Sequence, residues 1–176
     1  MARISPVEES EHPELAELIR KIRAGRGGAL INVYKLLLHA PPLAEIWLSL
    51  INAFRGQASL DDRLREIVII RVGHLNRVDY VVRQHVPRLA VAAGVTPAEC
   101  EALAGRDVDG FSARERAVIS YVDAMTEQVQ VPETVFAALR PHFSERQLVE
   151  LSVLIGTYNM HTRVVEALGI DPEANG

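Results

Sequence analysis

Apolar residues recur along almost the whole chain at steps of three and four positions, and no Asn-Gly or Asp-Gly turn joins alternating β-branched runs. That period belongs to helices packed by one face, so an all-α fold is expected. The starts are marked as clearly as the period. Thr96-Pro97-Ala98-Glu99, Ser112 with Glu115, Ser144 with Gln147, and Ser59 with Asp62 each set a side-chain acceptor three positions before a group able to reach back. Such pairs satisfy the amides left over at a helix start.

The stops divide the chain into about eight to nine helices. Residues 1–12 read as an acidic, extended lead-in. Glu14 to Ala24 is amphipathic and ends at Gly25-Arg-Gly-Gly28, Leu30 to His39 closes at Pro41-Pro42, and those prolines start a helix from about Leu43 to Arg55. Gly94 ends the helix that carries His85, and the last strong helix, Glu145 to Leu168, stops at Gly169-Ile-Asp-Pro172. No linker or composition shift divides residues 1–176, so one domain is expected, with its most informative part at residues 60–103.

Charge and cysteine content narrow the function classes. Charged residues make up 24% of the chain with a net charge of -4, and Lys and Arg are interleaved with Asp and Glu. No nucleic-acid or anionic-membrane partner is expected from such a surface. Cys100 is the only cysteine, which excludes a dithiol redox pair and fits a cytoplasmic setting. The apolar runs are too interrupted for a membrane span. The histidines form no ligand spacing with carboxylates, and there is no glycine-rich phosphate loop, so neither a metal nor another cofactor is expected. Arg23, Arg26 and Lys35 read as a flexible basic turn, with a small-anion site as the alternative.

The chemistry concentrates between Arg63 and His85. Glu66 lies between Arg65 and Ile67-Val68-Ile69-Ile70, where a carboxyl is either paired with Arg63 or Arg71 or held ready to exchange a proton. His85 precedes Pro87, which removes an amide and clashes with the Arg83 carbonyl, so the helix must bend or unwind there. The imidazole is either bonded to a freed carbonyl or serves as a base. Asp79 reads as a cap and Tyr80 as a hydroxyl aimed at the same place. His74 lies two turns after Glu66, just before a break at Asn76. Tyr158 and Asn159 interrupt the apolar final helix and suggest a second polar wall, with His161 read as a surface residue. A weak echo of Ser59…Glu66 in Ser144…Glu150 argues that such glutamates are packing devices.

Arg65-Glu66, Arg71, His74-Leu75-Asn76, Tyr80, His85 and Ala92-Ala-Gly94 together resemble the carboxymuconolactone decarboxylase and alkylhydroperoxidase D-like superfamily. In that family an acid on one helix faces Cys-x-x-Cys-x-x-x-His on the next. The resemblance places the acid at Glu66, the histidine at His85, and the two cysteines at Val78 and Val81. It implies a helical bundle that assembles as a homo-oligomer, a trimer or hexamer, with a dimer as the alternative. Peroxidase chemistry of the dithiol kind is lost with the thiols. What remains is a cofactor-independent lyase or isomerase acting on a small organic acid or lactone, with His85, Glu66 and Tyr80 catalytic. His74, Val78, Val81, Tyr158 and Asn159 would bind substrate. The competing expectation is a non-catalytic oligomeric protein whose valines have closed the old site around a ligand or partner.

Overall fold

The computed structural model describes residues 2–173, and among them every regular element is helical. These residues form two compact units, residues 2–57 with 167–173, and residues 58–166. The first contains α1 (Ala16–Ala24), α2 (Asn32–Leu37) and α3 (Pro41–Gly56). The basic turn after α1 is used internally. Arg26 donates to the Gly25 carbonyl at 2.6 Å, to Asn52 at 3.0 Å and to the Tyr34 hydroxyl at 2.8 Å, while Arg23 pairs with Glu9.

The second unit is built around α4 (Asp62–Leu75), followed by α5 (Asp79–His85), α6 (Pro97–Ala102), α7 (Ala113–Asp123), α8 (Glu133–Ala137) and α9 (Glu145–Leu168), which belongs to it as far as Glu166. α4 buries residues on every side, because α5 and α7 both pack on it. Ile67 and Ile70 of α4 join Ala90, Val95, Cys100, Leu103, Phe111 and Ile119 in one core cluster. Full burial of each isoleucine side chain is worth roughly 1.5–3 kcal/mol. No helix among the described residues is long and apolar enough to cross a membrane.

Two turns set the path from α4 to α6. Asn76 ends α4, Arg77 takes a left-handed φ of 57°, and the Val78 amide reaches back to the Gly73 carbonyl at 2.9 Å. Gly94, with φ of 80°, closes the next stretch in the same way, the Val95 amide donating to the Ala90 carbonyl. Both are Schellman closures, in which the left-handed residue lets the chain pair its last carbonyls.

The expected caps at Thr96, Ser112 and Ser144 form with their partners Glu99, Glu115 and Gln147. Two others differ. Asp61, not Ser59, caps α4 by accepting from the Leu64 amide, while Ser59 gives both its amide and its hydroxyl to Glu150. Asp79 does not cap α5, which starts after Val78 with no side-chain cap, and instead faces Arg83 at 3.7 Å on the exposed surface. The acceptor two positions nearer the first turn has the better geometry for α4, and the Schellman turn already sets the entry to α5.

Candidate functional site

Glu66 and His85 meet. α4 carries Glu66 on its α5-facing side, and His85 Nδ1 lies 2.6 Å from Glu66 Oε2, with side-chain exposures of 9% and 2%. Close packing of the two helices makes this possible. A Cβ built on Gly73 would lie 3.1 Å from Val82 Cγ2 and 3.3 Å from Val81 Cγ1, so the glycine is what lets α5 approach α4. Beyond His85 the α-helix gives way to a π-helical turn, Val86–Ala90, as Pro87 requires.

Burial pushes the Glu66 carboxyl up, but the hydrogen bond from His85 and the charges of His85 and Arg65 outweigh it, leaving the group below its usual range. It is therefore a carboxylate, and His85 Nδ1 is the donor. An accepted Nδ1–H fixes the tautomer and leaves Nε2 as the nitrogen with a lone pair when the ring is neutral. The arginines considered as partners for Glu66 are engaged elsewhere. Arg71 binds both Asp123 oxygens at 2.7 and 2.8 Å, and Arg63 binds Glu99 at 2.6 Å and Glu115 at 2.7 Å. Only Arg65 reaches Glu66, at 3.4 Å, while also binding Asp62 at 2.6 Å.

Glu150, the supposed echo of Glu66, is a different object. It accepts from Ser59 and from Arg146 at 2.8 Å near the surface, whereas Glu66 has an imidazole partner in the interior. Their sequence contexts match, but their environments do not.

Aromatic rings extend the site along α9. His85 meets the Tyr158 ring edge-on, with centroids 5.8 Å apart and planes at 84°. His161 lies 5.5 Å from Tyr158 and 6.5 Å from Tyr80. Tyr80 and Tyr158 are both buried, and so is the Nδ1 atom of His161. His161 is thus not a plain surface residue. Its i+3 spacing from Tyr158 was the available signal, since it puts both rings on one side of α9.

The remaining candidates take other places. Val78 and Val81 are buried, Val81 against Gly73. Asn159 is spent on packing: its carbonyl accepts from Asn76 at 3.0 Å and Arg163 at 2.7 Å, and its amide donates to Thr126 at 3.0 Å and the Ile155 carbonyl at 3.1 Å. His74 is not brought to the pair. Its ring is turned toward the Cys100 backbone, and burial, helped by the Arg71 charge, pushes the imidazole down. Cys100 is buried in the core cluster, and burial pushes its thiol up, away from the reactive thiolate.

A family model described as the carboxymuconolactone decarboxylase family matches residues 41–124, a span that contains Glu66, Val78, Val81 and His85. Over those residues, just under half of its length, the chain is similar to the carboxymuconolactone decarboxylase family. It lacks a pair of redox cysteines, since Cys100 is the only cysteine present. The YdfG protein of Bacillus subtilis is 28% identical over 119 residues, 66% of this chain and 80% of its own length. Among solved structures, an alkylhydroperoxidase D core, a peroxidase-related protein from Ralstonia eutropha JMP134, superimposes with a TM-score of 0.84 at 18% identity, covering 98% of this chain and 93% of that one. The debrominase Bmp8, in a cysteine variant bound to 2,3,4-tribromopyrrole, superimposes with a TM-score of 0.78 at 18% identity, covering 99% and 95%. At these identities the chain shares the fold of both structures, and the fold alone.

Proposed function

We propose that the protein is a cofactor-independent lyase or isomerase that moves protons on a small organic acid or lactone. The observation that carries the reading is the 2.6 Å contact between His85 Nδ1 and Glu66, both buried, in a chain with valine at 78 and 81, where the resemblance puts the cysteines of a dithiol site. Neutral His85 takes a proton from the carbon next to a carbonyl through Nε2, and Glu66 stabilises the imidazolium that results. The C–H electron pair moves into the carbonyl as an enolate, whose oxygen accepts a hydrogen bond from Tyr80 in this reading. Loss of carbon dioxide from a carboxylated lactone would give the same enolate, with the C–C pair in place of the C–H pair. The setting is the cytoplasm, on the ground of the lone cysteine, and the working form a homo-oligomer, by family resemblance.

α-Angelica lactone, an unsaturated γ-lactone, is a suitable probe. Its α proton exchanges with deuterium oxide through a dienolate, and protonation at the γ carbon gives the conjugated isomer, both visible by NMR. The wild-type protein is expected to catalyse exchange, and His85→Gln to lower it at least about 100-fold, the usual scale of a general base. Exchange at equal rates in the two proteins would reject the assignment.

A second reading, a non-catalytic ligand-binding protein, is favoured by the burial of Val78 and Val81 at 3% and 1% exposure, which fills the old redox position with hydrocarbon. Binding of the lactone without any α exchange in the wild-type protein would select it.

A further inference from the structure

Isomerisation takes a proton from one carbon and delivers one to another, and His85, whose Nδ1 is held by Glu66, has the single nitrogen Nε2 for both tasks. The reaction proposed above, on which this inference rests, therefore calls for a second proton carrier with access to solvent. His161 has the required placement. It is only partly buried, yet its Nδ1 atom is buried, and its ring lies against both Tyr80 and Tyr158. Tyr158 is also the ring that His85 meets, so one tyrosine touches both imidazoles, 5.8 Å from one and 5.5 Å from the other.

That turn of α9 is held in place. Asn76, at the end of α4, donates to Asn159 at 3.0 Å and to Thr162 at 2.9 Å, and Thr162 donates to the Tyr158 carbonyl at 2.8 Å. Asn159 is further tied to Thr126. These bonds fix the backbone on either side of His161, and a fixed donor is what proton delivery to one particular carbon requires.

We propose that His161 is the acid of the site, delivering to the substrate's second carbon the proton that His85 does not. In this proposal the lactone lies beside Tyr158, the ring that both imidazoles meet. His85 removes the α proton and becomes imidazolium; the dienolate takes the proton of the His161 imidazolium at its γ carbon. His161 then regains a proton from water, and His85 gives the α proton up to water, so both imidazoles end as they began. No atom or electron beyond those of substrate, two imidazoles and water is involved.

The test measures α deuterium exchange and conversion of α-angelica lactone together, in wild-type, His161→Gln, His161→Asn and His85→Gln proteins, with folding checked by circular dichroism. The ratio of conversion to exchange is expected to fall about 100-fold in both His161 variants, because return of deuterium to the α carbon continues while delivery to the γ carbon fails. His85→Gln is expected to lose both. A ratio in the His161 variants equal to wild type overturns the assignment, whereas undiminished exchange in His85→Gln overturns the underlying reading instead. If His161→Gln is poorly folded, the Asn variant decides by the same ratio.

Discussion

Arg71 faces Asp123 through two parallel bonds, 2.7 and 2.8 Å long, and it also donates to the carbonyls of Leu103 and Gly105. One buried guanidinium thereby joins α4 to α7 and to the turn after α6, and it is withheld from Glu66. Asp123→Ala would leave that guanidinium buried with its main counter-charge gone. The expected cost is about 3–5 kcal/mol of stability, the usual result of breaking one side of a buried pair. Urea unfolding followed by circular dichroism measures it, and a variant within about 0.5 kcal/mol of wild type would contradict this account.

The Glu66 carboxyl lies below its ordinary value of 4.5 in the folded protein, through its bond to His85 and the nearby charges of His85 and Arg65 acting against burial. A depressed folded value means that the pairing stabilises the protein above about pH 4.5, and that this contribution is lost as pH falls through the lower, folded value. Glu66→Gln should cost on the order of 1–3 kcal/mol at neutral pH, since the buried imidazole loses its charged acceptor. The gap between the two melting temperatures should narrow below pH 4.5. A gap that widens on acidification would show that the carboxyl is protonated in the neutral folded state.

The parts of this picture readable from sequence are those set by local chemistry. The Thr96, Ser112 and Ser144 caps, the stops at Gly94 and Gly169 and the disturbance at Pro87 depend on a few adjacent residues, and all are present. The meeting of Glu66 with His85 was reachable only through family resemblance, because nothing in either helix says which acid faces which imidazole. Which arginine takes which carboxylate was not legible at all. Arg71 chooses Asp123, and Arg63 chooses Glu99 and Glu115, by the way α4, α6 and α7 pack. The partners of Asn159 and His161 were hidden for a similar reason: the end of α4 supplies Asn76 to the asparagine, and the α5 ring Tyr80 comes to lie beside the histidine.

Arg77 occupies the left-handed position of the turn between α4 and α5, with φ of 57°, and its side chain is exposed. A residue with a Cβ is strained there and glycine is not. Arg77→Gly should therefore raise stability by about 0.5–1 kcal/mol, less whatever the more flexible unfolded chain takes back. Thermal denaturation measures the change. A destabilised variant would mean that the arginine side chain contributes more than its backbone strain costs.

Gly73 sets two effects against each other. In a helix interior, alanine is favoured over glycine by about 1 kcal/mol, and on that ground Gly73→Ala should stabilise α4. The new methyl, however, would stand 3.1 Å from Val82 and 3.3 Å from Val81, closer than ordinary contact. Val81 is fully buried and cannot yield, while Val82 is half-buried and can. The expected outcome is a net loss of about 1–2 kcal/mol, the cost of overpacking outweighing the gain in propensity. Adding Val82→Ala should recover part of that loss, a coupling that a double-mutant cycle on urea midpoints reads directly. Because Glu66 and His85 lie on these same two helices, the single variant should also weaken their hydrogen bond, seen as a downfield-shifted imidazole Nδ1 proton that moves or vanishes by NMR. If Gly73→Ala is more stable than wild type and that proton is unmoved, close approach at Gly73 is not what brings the pair together.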